Sequence, residues 1–364
     1  MEQRNRNRST EGGERARLVS FGTALPPHVV TQAEAAEAVE RIFSRRPGSF
    51  DALRGVFATA GTRQRHTIKP AAWYLEPQGW PEKSQAFLDG AGDLFIEAAG
   101  RALDRAGLTA ADVDTVVTLT ATGVATPTLE ARVAARMGFR PDVRRVPIFG
   151  LGCAGGVSGL SIAGRLAAAD PGSTVLMVAI ECCSLGFQPD RFDKANIVSS
   201  ALFGDGAAAC VLRAGDGGGI AAIEGSAEHM WPDTLGVMGW RMDTVGLGVI
   251  LAPNVPDFAE KNLGPAVRGM LDRLGLVPDD VGRFVCHPGS VKVVAAIERT
   301  LGLDQGSLDH ERGVLVDYGN MSAPTVWFIL ERVMADGALP ERTAMLAMGP
   351  GFTTTCVSLT RAAA

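Results

Sequence analysis

A thiol, an imidazole and a carboxamide stand out among the side chains able to do chemistry. Cys153 sits in Gly-Leu-Gly-Cys-Ala-Gly-Gly, His287 closes the run Phe284-Val285-Cys286, and Asn320 lies in Gly-Asn-Met-Ser-Ala-Pro-Thr. Cys153 follows an apolar run and precedes a helical pattern (Ala154, Val157, Leu160, Ile162, Leu166), which places its sulfur at a helix N-terminus. Unpaired N–H groups and the macrodipole there favour a thiolate. Gly150 and Gly152 permit a tight turn, while Gly155 and Gly156 leave room for a substrate beside the sulfur. His287 precedes Pro288-Gly289 at a strand end, where α/β sites are built. Such a set suits acyl transfer: imidazolium stabilises the thiolate, and imidazole and amide then donate to a developing oxyanion. Each residue also has a structural alternative, as a buried cysteine in a glycine-rich helix start, a satisfied strand-end histidine, or an Asn chosen for its turn.

The remaining candidates offer less. His66 and His310 sit among charges, His28 follows Pro26-Pro27, and His229 lies beside Met230-Trp231, where it can line a cavity or pack. The six cysteines (Cys153, Cys182, Cys183, Cys210, Cys286, Cys356) show no Cys-x-x-Cys spacing, so neither a zinc site nor a disulfide framework is expected. The Cys182-Cys183 pair reads as small buried residues.

The elements that position these groups are announced by a repeat. Leu103-Asp104-Arg105-Ala106-Gly107-Leu108 is echoed by Leu271-Asp272-Arg273-Leu274-Gly275-Leu276, an offset of 168, and Asp112-Val113 and Val117 match Asp280-Val281 and Val285 at the same offset. In both copies a helix ends at Gly, an acidic turn follows, and a strand begins, at Thr115 to Leu119 and at Arg283 to Cys286. Further strands are expected at 173–180, 207–212, 313–316 and 343–348, and helices at 157–168 and 324–335. This alternation argues for α/β layers around a largely parallel sheet, duplicated into two halves. The hinge falls in the Gly-rich stretch 214–219, giving a disordered tail over 1–17, one half over 18–217 carrying Cys153, and another over 218–364 carrying His287 and Asn320. Extending the offset maps Gly152 onto Asn320 and Cys153 onto Met321, so the two turns are expected to face each other across a pseudo-dyad.

A chain of 364 residues, 46% hydrophobic, buries a substantial core. A net charge of −5 gives no reason to expect nucleic acid, and no apolar run reaches the length of a membrane span. A cytoplasmic protein is expected, with no signal segment opening the chain.

Five motifs in order, Gly-Leu-Gly-Cys153-Ala-Gly-Gly, Ala-Leu-Phe203-Gly-Asp-Gly-Ala-Ala, Cys-His287-Pro-Gly, Gly-Asn320-Met-Ser-Ala-Pro-Thr and Gly349-Pro-Gly-Phe-Thr, resemble those of type III polyketide synthases, the chalcone-synthase-like condensing enzymes. The likeness runs from about residue 18 to 361. It implies a thiolase-like fold, with duplicated α/β halves in a layered αβαβα core, and a homodimer in which Thr126 reaches the partner's cavity. It also implies that Cys153 takes a starter acyl group from coenzyme A, and that His287 and Asn320 promote decarboxylation of malonyl-CoA. The resulting enolate attacks the Cys153 thioester; coenzyme A thioesters are the substrates, and no metal or other cofactor is implied. Phe203 matches the family's gatekeeper. A second gatekeeper Phe is replaced by Val249, two cavity threonines by Cys183 and Gly186, and a cavity Gly by Trp240. With Thr122 and Ser322 also implied in the cavity, the wall is opened in places, closed at Trp240 and short of hydroxyls. This favours an aliphatic, fatty acyl starter and an alkylpyrone or alkylresorcinol product. Arg63 and Arg65 are the candidates for coenzyme A phosphates. The alternatives are an initiating ketoacyl synthase of fatty-acid synthesis and a non-catalytic partner subunit.

Overall fold

The computed structural model describes residues 14–43, 50–215 and 218–362. The expected tail therefore lies outside the described residues as far as Gly13, whereas Ala16 and Arg17 already belong to the first strand. The first half runs β1 (Ala16–Ala24), β2 (His28–Thr31), α1 (Gln32–Phe43), α2 (Phe50–Thr59), β3 (Gln64–Thr67), α3 (Ala71–Leu75), α4 (Trp80–Ala106), β4 (Thr115–Thr120), α5 (Leu129–Met137), β5 (Arg144–Phe149), α6 (Gly155–Ala169), β6 (Thr174–Cys182), α7 (Lys194–Leu202) and β7 (Asp205–Ala214). The second runs β8 (Ala221–Met230), β9 (Met238–Asp243), β10 (Gly246–Leu251), α8 (Val255–Asp272), β11 (Arg283–Cys286), α9 (Val291–Leu301), α10 (Asp309–Tyr318), α11 (Thr325–Ala335), β12 (Arg342–Gly349) and β13 (Thr353–Arg361).

Local chemistry explains why the repeat folds the same way twice. Gly107 and Gly275 both adopt left-handed backbone (φ +66° and +73°), which ends α4 and the turn after α8 without a Cβ clash. Leu108 N donates to Leu103 O at 3.0 Å, and its counterpart Leu276 N to Leu271 O at 2.9 Å. The acidic turns match as well: Asp112 Oδ2 accepts from Thr109 N and Asp280 Oδ2 from Val277 N, each at 2.8 Å. The strands β4 and β11 then begin in equivalent places.

The strands join in the order β11-β12-β13-β8-β1-β7-β6-β4-β5. The two halves meet along a short seam, where Arg17 and Leu18 of β1 pair with Ala222 and Ala221 of β8. The sheet is mixed, not largely parallel as expected: only β4–β5, β4–β6 and β11–β12 are parallel among its pairs. Tight connections explain the difference. Only Pro350, Gly351 and Phe352 separate β12 from β13, too short a link for anything but an antiparallel return.

One expected strand is absent. Residues 313–316 lie inside α10. Glu311 of that helix is buried, accepts from Cys286 N at 3.0 Å and pairs with Arg283 at 2.6 Å. Its carboxylate thus occupies the free edge of β11, where a further strand would have paired.

Three helical layers enclose the sheet. Phe87, Leu94 and Phe95 of α4 pack on one side with Val116 and Val178, and Leu263, Val267 and Ile297 of α8 and α9 pack on the other with Phe284 and Leu346. Between them α6 and α11 form a central layer, with Val157, Leu160, Val326 and Trp327 in one core. This is the thiolase-like αβαβα arrangement. Helix α6 is lined with small residues because its neighbours leave no room: a Cβ on Gly156 would lie 2.1 Å from Ala323 O, and one on Gly159 2.2 Å from Leu119 Cδ2. Gly156 therefore serves close packing and not, as expected, space for a substrate. Among the described residues no helix is long and apolar enough to cross a membrane.

Candidate active site

Cys153 occupies a single 3-10 turn, Gly152–Ala154, that feeds α6. The chain reaches it from β5 through Gly150 and Gly152, both with positive φ (+96° and +49°). The expected tight turn is there, with the sulfur at a helix N-terminus. Asn320 follows α10 and is fixed at both backbone groups. Its N donates to Leu202 O at 2.8 Å, and its carbonyl accepts from Gly204 N at 3.0 Å. The side chain is fixed too: Oδ1 accepts from Ser322 N at 2.8 Å, and Nδ2 donates to Gly289 O at 3.3 Å. Ser322, at φ +60°, turns the chain back so that the side chains of Ser322 and Asn320 both act on the Cys153 sulfur. The repeat register thus placed two distant turns in contact.

His287 leaves β11 with its N donating to Leu346 O of β12 at 2.8 Å, while its carbonyl accepts from Gly289 N at 3.1 Å. The Asn320 amide therefore joins the sulfur to the segment two residues beyond His287. Both imidazole nitrogens are buried without a hydrogen-bond partner. A buried ring with both nitrogens unpartnered by the protein is ready-made to meet a ligand.

Burial sets the electrostatics. Desolvation pushes the Cys153 thiol up to about 11, with Glu181 adding to it and the side chains of Ser322 and Asn320 opposing it. It also pulls His287 down to about 3. Burial thus opposes charge on both groups, on the sulfur as on the imidazole. Neutral imidazole still carries one N–H donor.

A carboxylate absent from the sequence expectations lies at the same place. Glu181, at the end of β6, is fully enclosed, and desolvation raises it to about 7. It accepts from Ala121 N at 3.0 Å, from Thr122 Oγ1 at 2.8 Å and from Ser322 Oγ at 3.4 Å. A network thus runs from Thr122 through Glu181 and Ser322 to Cys153. The available signal was a lone acid in the apolar run Val175-Leu-Met-Val-Ala-Ile-Glu181.

The chamber at the sulfur is lined by Cys183, Phe203, Trp240, Val249 and Ser322. Phe203 and Trp240 face each other with ring centroids 6.3 Å apart. Gly186 and Thr122 lie instead around an adjoining space on the far side of Trp240. The loss of a side chain at Gly186 does not open the wall as expected. A Cβ there would lie 2.5 Å from the indole, so Trp240 fills the room that Gly186 vacates.

Thr126 is exposed and lies outside this chamber, before a cis bond to Pro127. The two basic candidates also diverge. Arg63 is at the surface and pairs with Asp317 at 2.5 Å. Arg65 is buried, donating to Ser200 O and Gln32 Oε1, and it lines an apolar cavity with Phe203, Cys183 and Val39. An enclosed guanidinium cannot meet a surface phosphate, so Arg65 is not part of a coenzyme A phosphate clamp. His229 packs edge-on against Trp231, with centroids 4.9 Å apart, and His66 Nδ1 lies 2.9 Å from Pro26 O.

Comparison with known proteins agrees with this arrangement. Residues 85–216 match the chalcone and stilbene synthase N-terminal domain, and residues 222–362 match the corresponding C-terminal domain. The chain is 41% identical to a 1,3,6,8-tetrahydroxynaphthalene synthase of Streptomyces peucetius subsp. caesius, over 93% of each chain. A 3,5-dihydroxyphenylacetyl-CoA synthase of Amycolatopsis balhimycina is 29% identical, over 93% of this chain and 91% of that one. The solved structure of the Streptomyces coelicolor A3(2) 1,3,6,8-tetrahydroxynaphthalene synthase superposes with a TM-score of 0.90 at 28% identity, covering 96% of this chain and all of that one. The chain belongs to the chalcone and stilbene synthase family and is a type III polyketide synthase, an acyltransferase-type condensing enzyme.

Proposed function

We propose that Cys153 is the nucleophile that carries the growing chain, and that His287 and Asn320 bind and activate malonyl-CoA. The contact of Asn320 with both the sulfur and the His287 segment carries this reading. The Cys153 thiol adds to the carbonyl of an acyl-CoA and coenzyme A leaves with the proton, passed through His287. Malonyl-CoA then loses CO₂, and the electron pair of the broken C–C bond enters a thioester enolate. The neutral His287 N–H and the Asn320 amide donate to that enolate oxygen. Its carbon attacks the Cys153 thioester, expels the sulfur and yields a β-ketoacyl-CoA that can reload.

For the starter, an aliphatic and particularly a fatty acyl group fits the apolar cavity beyond Phe203, where Val30, Val39, Ile42 and Leu75 supply the walls. Cyclisation would then give an alkylpyrone or alkylresorcinol. A second reading, a short starter closing to a polyhydroxylated aromatic such as the relatives' tetrahydroxynaphthalene, is favoured by Trp240 filling the space at Gly186. Incubating the protein with malonyl-CoA alone and with acyl-CoAs of graded length, followed by mass spectrometry of the products, separates the two. Alkyl triketide and tetraketide products support the first, and an aromatic product from malonyl-CoA alone supports the second. Diketide acids alone would sink both.

The assembly follows from an open edge. Strand β5 is the last strand of the sheet, and Phe149 at its end is 51% exposed. Pairing of two such edges would make a homodimer and would carry Thr126 toward the partner. Light scattering at micromolar concentration tests it; a monomer at 100 µM would exclude it.

A further inference from the structure

Helix α4 carries a charge where its apolar stripe should continue. Lys83 precedes Phe87, Ala91 and Leu94 on the buried face and is itself 7% exposed. A lysine this enclosed ordinarily finds a carboxylate or extends its ammonium to water. Lys83 does neither. Its Nζ donates once, to Phe187 O at 3.0 Å, and it forms no salt bridge among the described residues. Asp243, the carboxylate that acts on it most strongly, is already taken up by Gln188 at 3.1 Å and by Val245 N at 3.1 Å. Two of the three ammonium donors therefore have no partner among the described residues.

The space in front of that ammonium adjoins the chamber of Cys153. Lys83, Ser84, Thr122, Gly186 and Leu247 line it together with Trp240, and the same Trp240 lines the chamber at the sulfur. Thr122 also ends the hydrogen-bond network that starts at Cys153. One indole separates a nucleophilic sulfur from a buried cation with spare donors. Resting on the reading that Cys153 carries the acyl chain, we propose that Lys83 binds an anionic oxygen at the far end of that chain and so selects what the enzyme accepts and extends. Anionic oxygen here covers two sources, a free carboxylate on the starter and an enolate of the growing poly-β-keto chain. Asp243 and Asp190 act on the ammonium from a distance, and either source would add the direct ionic contact that it lacks among the described residues. Desolvation brings the amine down to about 8, so at neutral pH most of it is protonated and able to meet an anion.

The test compares glutaryl-CoA with 5-methylhexanoyl-CoA, which has the same skeleton and a neutral end, in the wild type, Lys83→Met and Lys83→Arg. Intact-protein mass spectrometry follows acylation of Cys153, and product mass counts malonyl extensions. In the first arm the wild type should load glutaryl at least about tenfold faster than its neutral counterpart. That preference should vanish in Lys83→Met and return in part in Lys83→Arg. In the second arm, chains begun on 5-methylhexanoyl should stop earlier in Lys83→Met than in the wild type. A response in the first arm assigns the carboxylate source, and one in the second the enolate. Equal wild-type loading of the two starters, with unchanged extension number in Lys83→Met, would overturn the inference. Should Lys83→Met fail to fold, the wild-type loading ratio and Lys83→Arg decide. A wild type that acylates Cys153 with neither starter would instead refute the assignment of Cys153, and the inference with it.

Discussion

The turn that ends in Cys153 and the turn that holds Asn320 occupy equivalent positions in a duplicated chain, yet they are built differently. The first leaves a strand, β5, through two glycines of positive φ and enters a helix at once. The second leaves a helix, α10, through Gly319 (φ +69°), and a non-glycine, Ser322, takes the left-handed backbone. A left-handed serine costs energy that a glycine would not. What the second turn gains is a backbone N–H that holds the Asn320 amide in place at 2.8 Å. Duplication thus supplied the juxtaposition, and divergence of one copy supplied the polar groups. On the proposed reading the first turn presents the reactive atom, and the second orients donors around it.

The sharpest way to break this division of labour is at the sulfur. Cys153→Ala should lower condensation by on the order of 10⁴-fold or more, while malonyl-CoA decarboxylation persists, because the donor turn is untouched. Loss of both activities, followed by CO₂ release and product mass, would mean that the turns do not act separately. Asn320→Ala should cost about 10²–10³-fold in decarboxylation while still allowing acylation of Cys153. Acylation falling by the same factor would place Asn320 in the loading step as well.

The packing between the turns is the next target. Gly156 presses its backbone on Ala323 O, so Gly156→Val should lower stability by ~3 kcal/mol, read by urea unfolding. A tolerated valine would show that the turns need not touch through this point. The smallest effect concerns Glu181. Its carboxyl is raised from 4.5 to about 7 in the fold, so the native state binds more protons than the unfolded chain and loses stability as pH rises between those values. Glu181→Gln removes that loss, so its stability relative to the wild type should rise between pH 4.5 and pH 8, measured by unfolding at each pH. A constant difference across that range would mean that Glu181 does not hold a proton at neutral pH.

The residues at the sulfur were legible because their signals are local or periodic. A cysteine between glycines at a strand-to-helix turn, a histidine at a strand end and a constant offset of 168 sufficed to bring Cys153 and Asn320 together. Four things were not legible. The charge state at the sulfur depends on how much water the finished fold excludes, which composition does not reveal. The segment 313–316 has strand-like residues, but Glu311 capping the edge of β11 is a tertiary event that overrides local preference. Arg65 read as a candidate for coenzyme A phosphates, and only the fold shows it buried against Ser200 of α7 and Gln32 of α1. Gly186 and Trp240 erred in the same way, read singly as an opening and a closure when they are one exchange.

Helix α6 has hardly a polar face: from Gly155 to Leu160 every residue is buried, sealed on one side by α11. On the ribosome, α6 emerges long before Trp327 and its neighbours have been synthesised. For that interval the chain must keep a glycine-rich apolar segment, together with its cysteine, from the wrong company. The same layer that makes the sulfur dry in the finished enzyme makes the nascent first half a candidate client for holding chaperones.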